Sequence, residues 1–282
     1  MDEAIGRYLA HLKGQGRSPN TLLAYHADLR QFCRILESHL GRQVQASDLS
    51  PESLAGYVSW LTQQTYRPAT LARKTAAVRS FVEFLHVHDK SVPEGLTAGL
   101  RAPVPPRQSP RVLTPNEIGL IVDLASRSGS ARGMRDAAIL SLLYSTGLRA
   151  ADAVRLKLPD IDLEAGTVRV PGSTRSPVAL GASQAHLQRY LQQARQHLAG
   201  APGEQALFLN QRGTVMSRQG LWLVVKRWSR AAGLGEDVSP HSLRHSLAHH
   251  LLGQGKSRRE VQQILGLSSP NALRVQREGA AQ

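Results

Sequence analysis

The sequence predicts a mainly α-helical protein of two domains, the second carrying one small β-hairpin. Three observations predict it. The chain of 282 residues is longer than a single core usually serves. Apolar residues recur with helical spacing along most of it, and only one short region reads as strand and turn. Between the two halves, R-A-P-V-P-P-R-Q-S-P-R (101–111) carries four prolines and cannot continue a helix.

Ser18-Pro19 opens a helix, with Ser as N-cap and Pro at the first helical position. Leu22, Tyr25, Leu29, Phe32, Leu36 and Leu40 follow on one face. A second helix is predicted over Pro51 to Gln63 and a third over Pro68 to Val87. In the third, Leu71, Val78, Phe81 and Leu85 face inward, leaving Arg73, Lys74 and Arg79 for solvent or phosphate. Residues 1–100 therefore read as a small helical bundle, 101–112 as an extended basic linker, and 113–282 as the second domain. That domain opens at Thr114-Pro115-Asn116-Glu117, a cap for a helix through Leu124. Further helices fit Arg132 to Ser145 and Ala150 to Leu156. T-V-R-V (167–170), turn residues P-G-S-T and P-V-A-L (177–180) make the hairpin. Helices over 183–198, 217–232, 242–252 and 257–265 complete the domain.

Net charge is +14 with a pI near 10.8, which predicts attraction to a polyanion, nucleic acid first. Of the 35 basic residues, 29 are Arg, whose planar fork grips phosphate through two bonds. A GC-rich genome accounts for part of that bias but not for the net charge. Up to Arg107 there are 13 basic and 9 acidic residues, hence +4; beyond it there are 22 and 12, hence +10. No apolar run approaches the roughly 18 residues of a membrane span, and the M-D-E-A start lacks a signal peptide's basic and apolar regions. A cytoplasmic protein without a membrane partner is expected. Cys33, the single cysteine, excludes an intrachain disulfide and a Cys-based zinc cluster within one chain.

Two segments carry the chemistry: S-T-G-L-R-A-A-D-A-V-R-L (145–156) and S-P-H-S-L-R-H-S-L-A-H-H-L-L-G-Q-G (239–255). Together they closely resemble the active-site boxes of the tyrosine recombinases, the phage-integrase and Xer-type family. The resemblance extends to N-T-L-L-A-Y-H-A-D-L-R-Q-F (20–32) and A-V-R-S-F-V-E-F-L (77–85), similar to the family's core-binding domain, and to S-R-Q-G-L-W (217–222). It implies a C-shaped clamp: an N-terminal helical, SAM-like core-binding bundle plus a mostly helical catalytic-type domain with a small sheet. It also implies double-stranded DNA as partner, no cofactor, and a bacterial, phage or mobile-element protein associated with the nucleoid.

In that family a Tyr hydroxyl attacks a DNA phosphodiester, forming a 3′-phosphotyrosine and releasing a 5′-hydroxyl. Two Arg hold the non-bridging oxygens as negative charge gathers there. By the resemblance these are Arg149 and Arg244, and His241 occupies the place of the His that assists proton transfer. The pattern then continues without gaps through Leu265, Gly266, Ser268, Ser269, Arg274 and Val275. Where the family has His, this chain has Leu267; where it has the nucleophilic Tyr, this chain has Gln276. The hairpin turn P-G-S-T-R-S (171–176) has no Lys, the family's proton donor to the leaving oxygen. Ser173 falls near that place, and Arg175 is a poor acid at neutral pH. Family members usually continue past the Tyr into a helix that docks on a neighbouring subunit; the sequence stops at Gln282, so a truncated C-terminus is expected.

Other readings are bland. His241, His245 and His249 recur every four residues, yet Ser246 stands where a metallohydrolase needs Glu, so no metal is expected. Trp222 and Trp228 sit at helical spacing among apolar residues and read as core. Tyr190 reads as a half-buried helix residue, not a substitute nucleophile. G-Q-G-R-S (14–18) and G-Q-G-K-S (253–257) lack P-loop spacing and read as helix ends. DNA contacts are expected from Arg73, Lys74 and Arg79 in the first domain and from Arg175, Arg218, Gln219, Lys226 and Arg227 in the second. By the resemblance, Arg218-Gln219 opens a helix near the major groove. The sequence thus predicts a DNA-binding protein with a defective cutting centre, an accessory or regulator beside an active paralogue. Two alternatives stand next to it: a recombinase subunit that borrows a Tyr in a mixed complex, and a transcription or replication regulator.

Overall fold

The computed structural model describes residues 1–90, 92–100, 111–173, 176–201 and 203–267. They fall into two compact units, Met1–Arg107 and Gln108–Gln282. Most of the expected linker, residues 101–110, lies outside the described residues.

The first unit is a bundle of α1 (Asp2–Gly14), α2 (Pro19–Leu40), α3 (Pro51–Gln63) and α4 (Pro68–Phe84). The Ser18 side chain accepts from the backbone N–H of Thr21, forming the predicted cap, and Ser50 caps α3 in the same way by accepting from Ser53. Leu29, Phe32 and Leu36 of α2 meet Tyr57 and Leu61 of α3 and Val78 and Phe81 of α4 in the core. Helix α1 has no side-chain cap and contains Gly6, which hides its start in the sequence, but Ile5, Tyr8 and Leu12 still bury its inner face. Tyr8 packs between Phe81 and Phe84, ring centroids 5.5 and 5.4 Å away. Helix α4 does not run regularly to Val87. Its last turn widens into a π-type turn over Leu85–Asp89 that ends at Lys90 in a left-handed conformation.

The same unit corrects the exposed placement of Lys74. The side chain is buried, and its ammonium donates to Asp28 Oδ1 at 2.9 Å and to Gln31 while lying over the Tyr66 ring. Arg73 also reaches the Asp28 carboxylate. Asp28 is 1% exposed, so the two cations neutralise a charge that burial would otherwise penalise heavily.

In the second unit α5 (Pro115–Arg127) and α6 (Ala131–Thr146) lead to a four-residue α7 (Ala150–Ala153). A three-stranded antiparallel sheet follows: β1 (Ile161–Asp162), β2 (Thr167–Val168) and β3 (Val178–Ala179). Thr167 pairs with Ala179 and Val168 with Val178, the register of the predicted hairpin; β1 adds a strand too short to show alternation. Then come α8 (Ser183–Gln193), α9 (Arg195–Leu198), α10 (Arg218–Ala231), α11 (Pro240–Gly253) and α12 (Arg258–Leu265). The single helix predicted over 183–198 breaks at the buried Ala194, where the Arg195 guanidinium turns to the carbonyl oxygens of Glu204 and Ala206, both at 2.6 Å.

Helix α6 is the axis of this unit, buried on nearly every side and packed by α5, α8 and α11. One charge pair lies inside it. Asp136, fully buried, accepts from Arg135 at 2.7 Å and from the Trp228 indole N–H at 2.9 Å, while Arg135 donates to the Leu209 carbonyl at 2.8 Å. These bonds join α6, α10 and the 209 loop, and they give both charges of the buried pair a partner.

Candidate functional site

The two sequence boxes meet at the C-terminal end of α6. Thr146 bonds back to the Leu142 carbonyl at 2.6 Å and accepts from the Leu148 N–H at 3.3 Å, which shapes the turn out of the helix. Gly147 follows at φ +61°, and a Cβ there would stand 2.3 Å from Leu265 Cδ2 and 2.9 Å from Leu247 Cδ2. The left-handed backbone therefore favours glycine, and a side chain there would also have to push aside the tips of Leu265 and Leu247. Arg149 comes next, exposed, as the N-cap residue of α7.

The second box is α11. Ser239 caps it by accepting from the Ser242 N–H, and His241 lies exposed in its first turn. Arg244, one turn on, is 7% exposed. Its Nη1 donates to the Gly147 carbonyl and its Nη2 to the Leu265 carbonyl at 2.8 Å. One guanidinium thus ties the first box, α11 and the end of α12. Ser246 extends the framework, donating to the Ser242 carbonyl and accepting from the Leu113 N–H, both at 2.8 Å. Arg149, Arg244 and His241 so belong to one end of one unit, with Arg244 inside and the other two at the surface.

Of the positions expected to depart from the family pattern, Leu267 has apolar surroundings. Leu267, half-buried, packs against Leu247, Ala248, Val261 and Leu265. It follows Gly266, which closes α12 at φ +62°. Ser173 donates its backbone N–H to the Val170 carbonyl at 3.1 Å in the hairpin turn. Arg175, Ser268, Ser269 and Gln276 lie outside the described residues.

Histidines crowd α11. Burial, with His241 and His249 as neighbours, pushes the His245 imidazole below its usual range. Burial also lowers His250, whose Nδ1 lies 2.8 Å from the Tyr144 hydroxyl. Among the described residues no group of His, Cys, Asp and Glu is placed to hold a metal. Tyr190 is fully buried rather than half-buried. Its hydroxyl donates to the Leu207 carbonyl at 3.0 Å, and burial pushes it up to about 12.

The expected DNA-contacting residues divide. Arg218 and Gln219 open α10, exposed as predicted, and Arg227 is 56% exposed, 3.9 Å from Asp136. Lys226 is buried instead, donating to the Glu236 carbonyl with its ammonium 4.8 Å from the Trp222 ring centroid. Trp222 is correspondingly not core but 42% exposed, whereas Trp228 packs inward on Asp136. Arg79 and Arg73 are partly exposed in the first unit, where Lys74 is buried. Sequence reasoning missed the Arg135–Asp136 pair; two adjacent opposite charges just before the apolar run from Ala137 were its visible signal.

Residues 111–276 match the Phage integrase family, and residues 5–88 match the family's N-terminal SAM-like domain. A tyrosine recombinase XerC of Roseiflexus sp. (strain RS-1) is 36% identical over 282 residues, covering 98% of this chain and 88% of the relative. A tyrosine recombinase XerD of Xanthomonas campestris pv. campestris is 36% identical, covering 97% and 87%. Among solved structures, a lambda integrase dimer bound to a core site superposes with a TM-score of 0.70 at 19% identity, covering 96% of both chains. The Tn1549 transposon integrase with circular intermediate DNA gives 0.74 at 15% identity, covering 95% and 92%.

Proposed function

Since the chain belongs to the phage integrase family of tyrosine recombinases, whose process is site-specific DNA recombination, we propose that it binds double-stranded DNA as a recombinase without a working cutting centre. One observation carries the second half. By the motif resemblance, read without gaps from Arg244, the positions of the third-box His and of the nucleophile hold Leu267 and Gln276. With Ser173 at the hairpin, the covalent route has neither attacking oxygen nor leaving-group acid.

What remains is a phosphate cradle. Arg149 offers an exposed guanidinium to a phosphate, with His241 beside the start of α11. Arg244 holds the loop that presents Arg149 and stands as the second member of the clamp. Arg218, Gln219 and Arg227, with Arg73 and Arg79 from the first unit, supply further contacts to backbone and base edges. The protein occupies a recombination-type site and regulates or assists an active paralogue there.

The experiment is incubation with nicked suicide duplexes, followed by denaturing gels. We expect salt-sensitive binding and no protein–DNA adduct. A stable adduct on this chain would overturn the defective-centre reading. With an active recombinase added, an adduct on the partner at strands held by this chain would identify the borrowed-Tyr arrangement.

A further inference from the structure

The exposed side of α10 holds two neighbouring large apolar residues, Trp222 at 42% and Leu223 at 53% exposure. Apolar residues at a surface are ordinary when scattered; here two are adjacent and one is held in place. Lys226, one turn further on, is nearly buried. Its ammonium donates to the Glu236 carbonyl and lies 4.8 Å from the Trp222 ring centroid. The lysine therefore fixes the indole instead of meeting solvent. One turn earlier, Gln219 and Arg218 lie at the i−3 and i−4 positions, on the same side of the helix as the ring. Arg227 stands one turn beyond Leu223. The opposite side of α10 is spent on the core through Leu221, Val224 and Val225.

The result is a held indole beside an exposed leucine, with Arg218 and Arg227 a turn to either side, on a unit of formal charge +10. A second copy of this unit would bring like charges to these arginines, whereas a polyanion complements them. A helix about 10–12 Å across fits a major groove about 12 Å wide, where the one apolar feature on the base edges is the thymine methyl group. Resting on the DNA-binding reading above, we propose that Trp222 is a specificity-determining residue. With Leu223 it packs on thymine C5-methyl groups while Gln219 bonds a neighbouring base edge, and Lys226 is the positioning residue for the ring.

The test uses the full chain and a 30-base-pair duplex that it enriches from a random-sequence pool. Each thymine of the enriched site is replaced in turn by deoxyuridine, which removes only the methyl group, and affinity is read by anisotropy of the labelled duplex. At one or two positions the wild-type chain should bind about fourfold more weakly, the factor for one buried methyl group at ~0.8 kcal/mol. In Trp222→Ala those penalties should vanish, and in Trp222→Phe they should persist in part. Thermal melts confirm that both variants fold, as expected for a ring so far exposed. Equal deoxyuridine penalties in wild type and Trp222→Ala, or none in the wild type, would sink the proposal and leave the DNA-binding reading standing. A change in sedimenting mass of Trp222→Ala with unaltered DNA selectivity would assign the indole and leucine to protein docking instead and also overturn it. Failure of the wild-type chain to enrich any duplex would defeat both readings together.

Discussion

Nη2 of Arg244 donates to the carbonyl oxygen of Leu265 at 2.8 Å, so the second sequence box is bonded to the turn that carries Leu267. The same guanidinium reaches Gly147, two residues before Arg149. Arg244→Ala would leave two buried carbonyls without these donors and should cost on the order of 3 kcal/mol. For a unit of this size that is a fall of about 6–12 °C in Tm. Arg149→Ala, at an exposed position, should stay within about 0.5 kcal/mol of wild type in stability yet lose DNA affinity. Calorimetry and anisotropy on both variants check this; equal destabilisation by the two would contradict it.

Gly147→Ala tests the close approach of the two boxes. The left-handed conformation costs a side chain roughly 1–2 kcal/mol, and the new Cβ would also displace Leu265 and Leu247. A melt within about 0.5 kcal/mol of wild type would show that the turn has room it does not have here.

Local chemistry explains what the sequence made legible. Helix starts were readable where Ser18, Ser50, Thr114, Ser217 and Ser257 each accept from a backbone N–H within their own first turn, whereas the helix expected from Ser242 begins earlier, at Pro240, under the Ser239 cap. The boxes around Arg149 and Arg244 stood out by their resemblance to the family's motifs. Lys74 was misplaced because its burial depends on Asp28, 46 residues earlier, a partner that no periodicity reveals. Lys226 and Trp222 exchanged expected places for a similar reason: the Glu236 carbonyl draws the lysine in and leaves the indole outside. Strand β1, two residues long, is too short to show alternation, and the break at Ala194 depends on the Glu204 and Ala206 carbonyls that the Arg195 guanidinium meets.

Salt dependence separates the two kinds of cation. Each phosphate contact contributes about 0.9 to the slope of log K against log salt concentration. Arg218→Ala should lower that slope by about 0.9 while leaving the melt unchanged. Lys74→Ala should leave the slope unchanged and instead destabilise the first unit by about 3 kcal/mol, because Asp28 loses a buried partner. A lowered slope for Lys74→Ala would return that residue to the DNA surface.

Acid should weaken the second unit before carboxylates begin to titrate. Burial lowers His186, His245 and His250 below the value they have when unfolded. Between the folded and unfolded values the unfolded chain binds more protons, so the stability is present above about pH 6.5 and is lost as pH falls through the folded values. Melting temperature should therefore decline from pH 7 toward pH 5, and His245→Gln with His250→Gln should flatten the decline. An unchanged slope in the double variant would assign the acid sensitivity elsewhere.

Restoring the missing groups is the most direct check on the defective centre. Gln276→Tyr returns an attacking oxygen and Leu267→His a donor, each where the resemblance places it, and Ser173→Lys returns an acid for the leaving oxygen near the place of the family's Lys. The imidazole would stand against Leu247, Val261 and Leu265, so Leu267→His should itself cost about 1–2 kcal/mol, visible in the melt. Gln276→Tyr alone should give at most a trace of adduct on a suicide duplex, since positioned acid catalysis is worth roughly 10² to 10⁴ in rate. The triple variant should accumulate adduct faster by about that factor, and the same variant with Gln276→Phe should give none. If the triple variant folds and binds the duplex as the wild type does but forms no adduct, the loss of activity must lie deeper than these three side chains. The cradle of Arg149, His241 and Arg244 would then no longer count as an intact remnant.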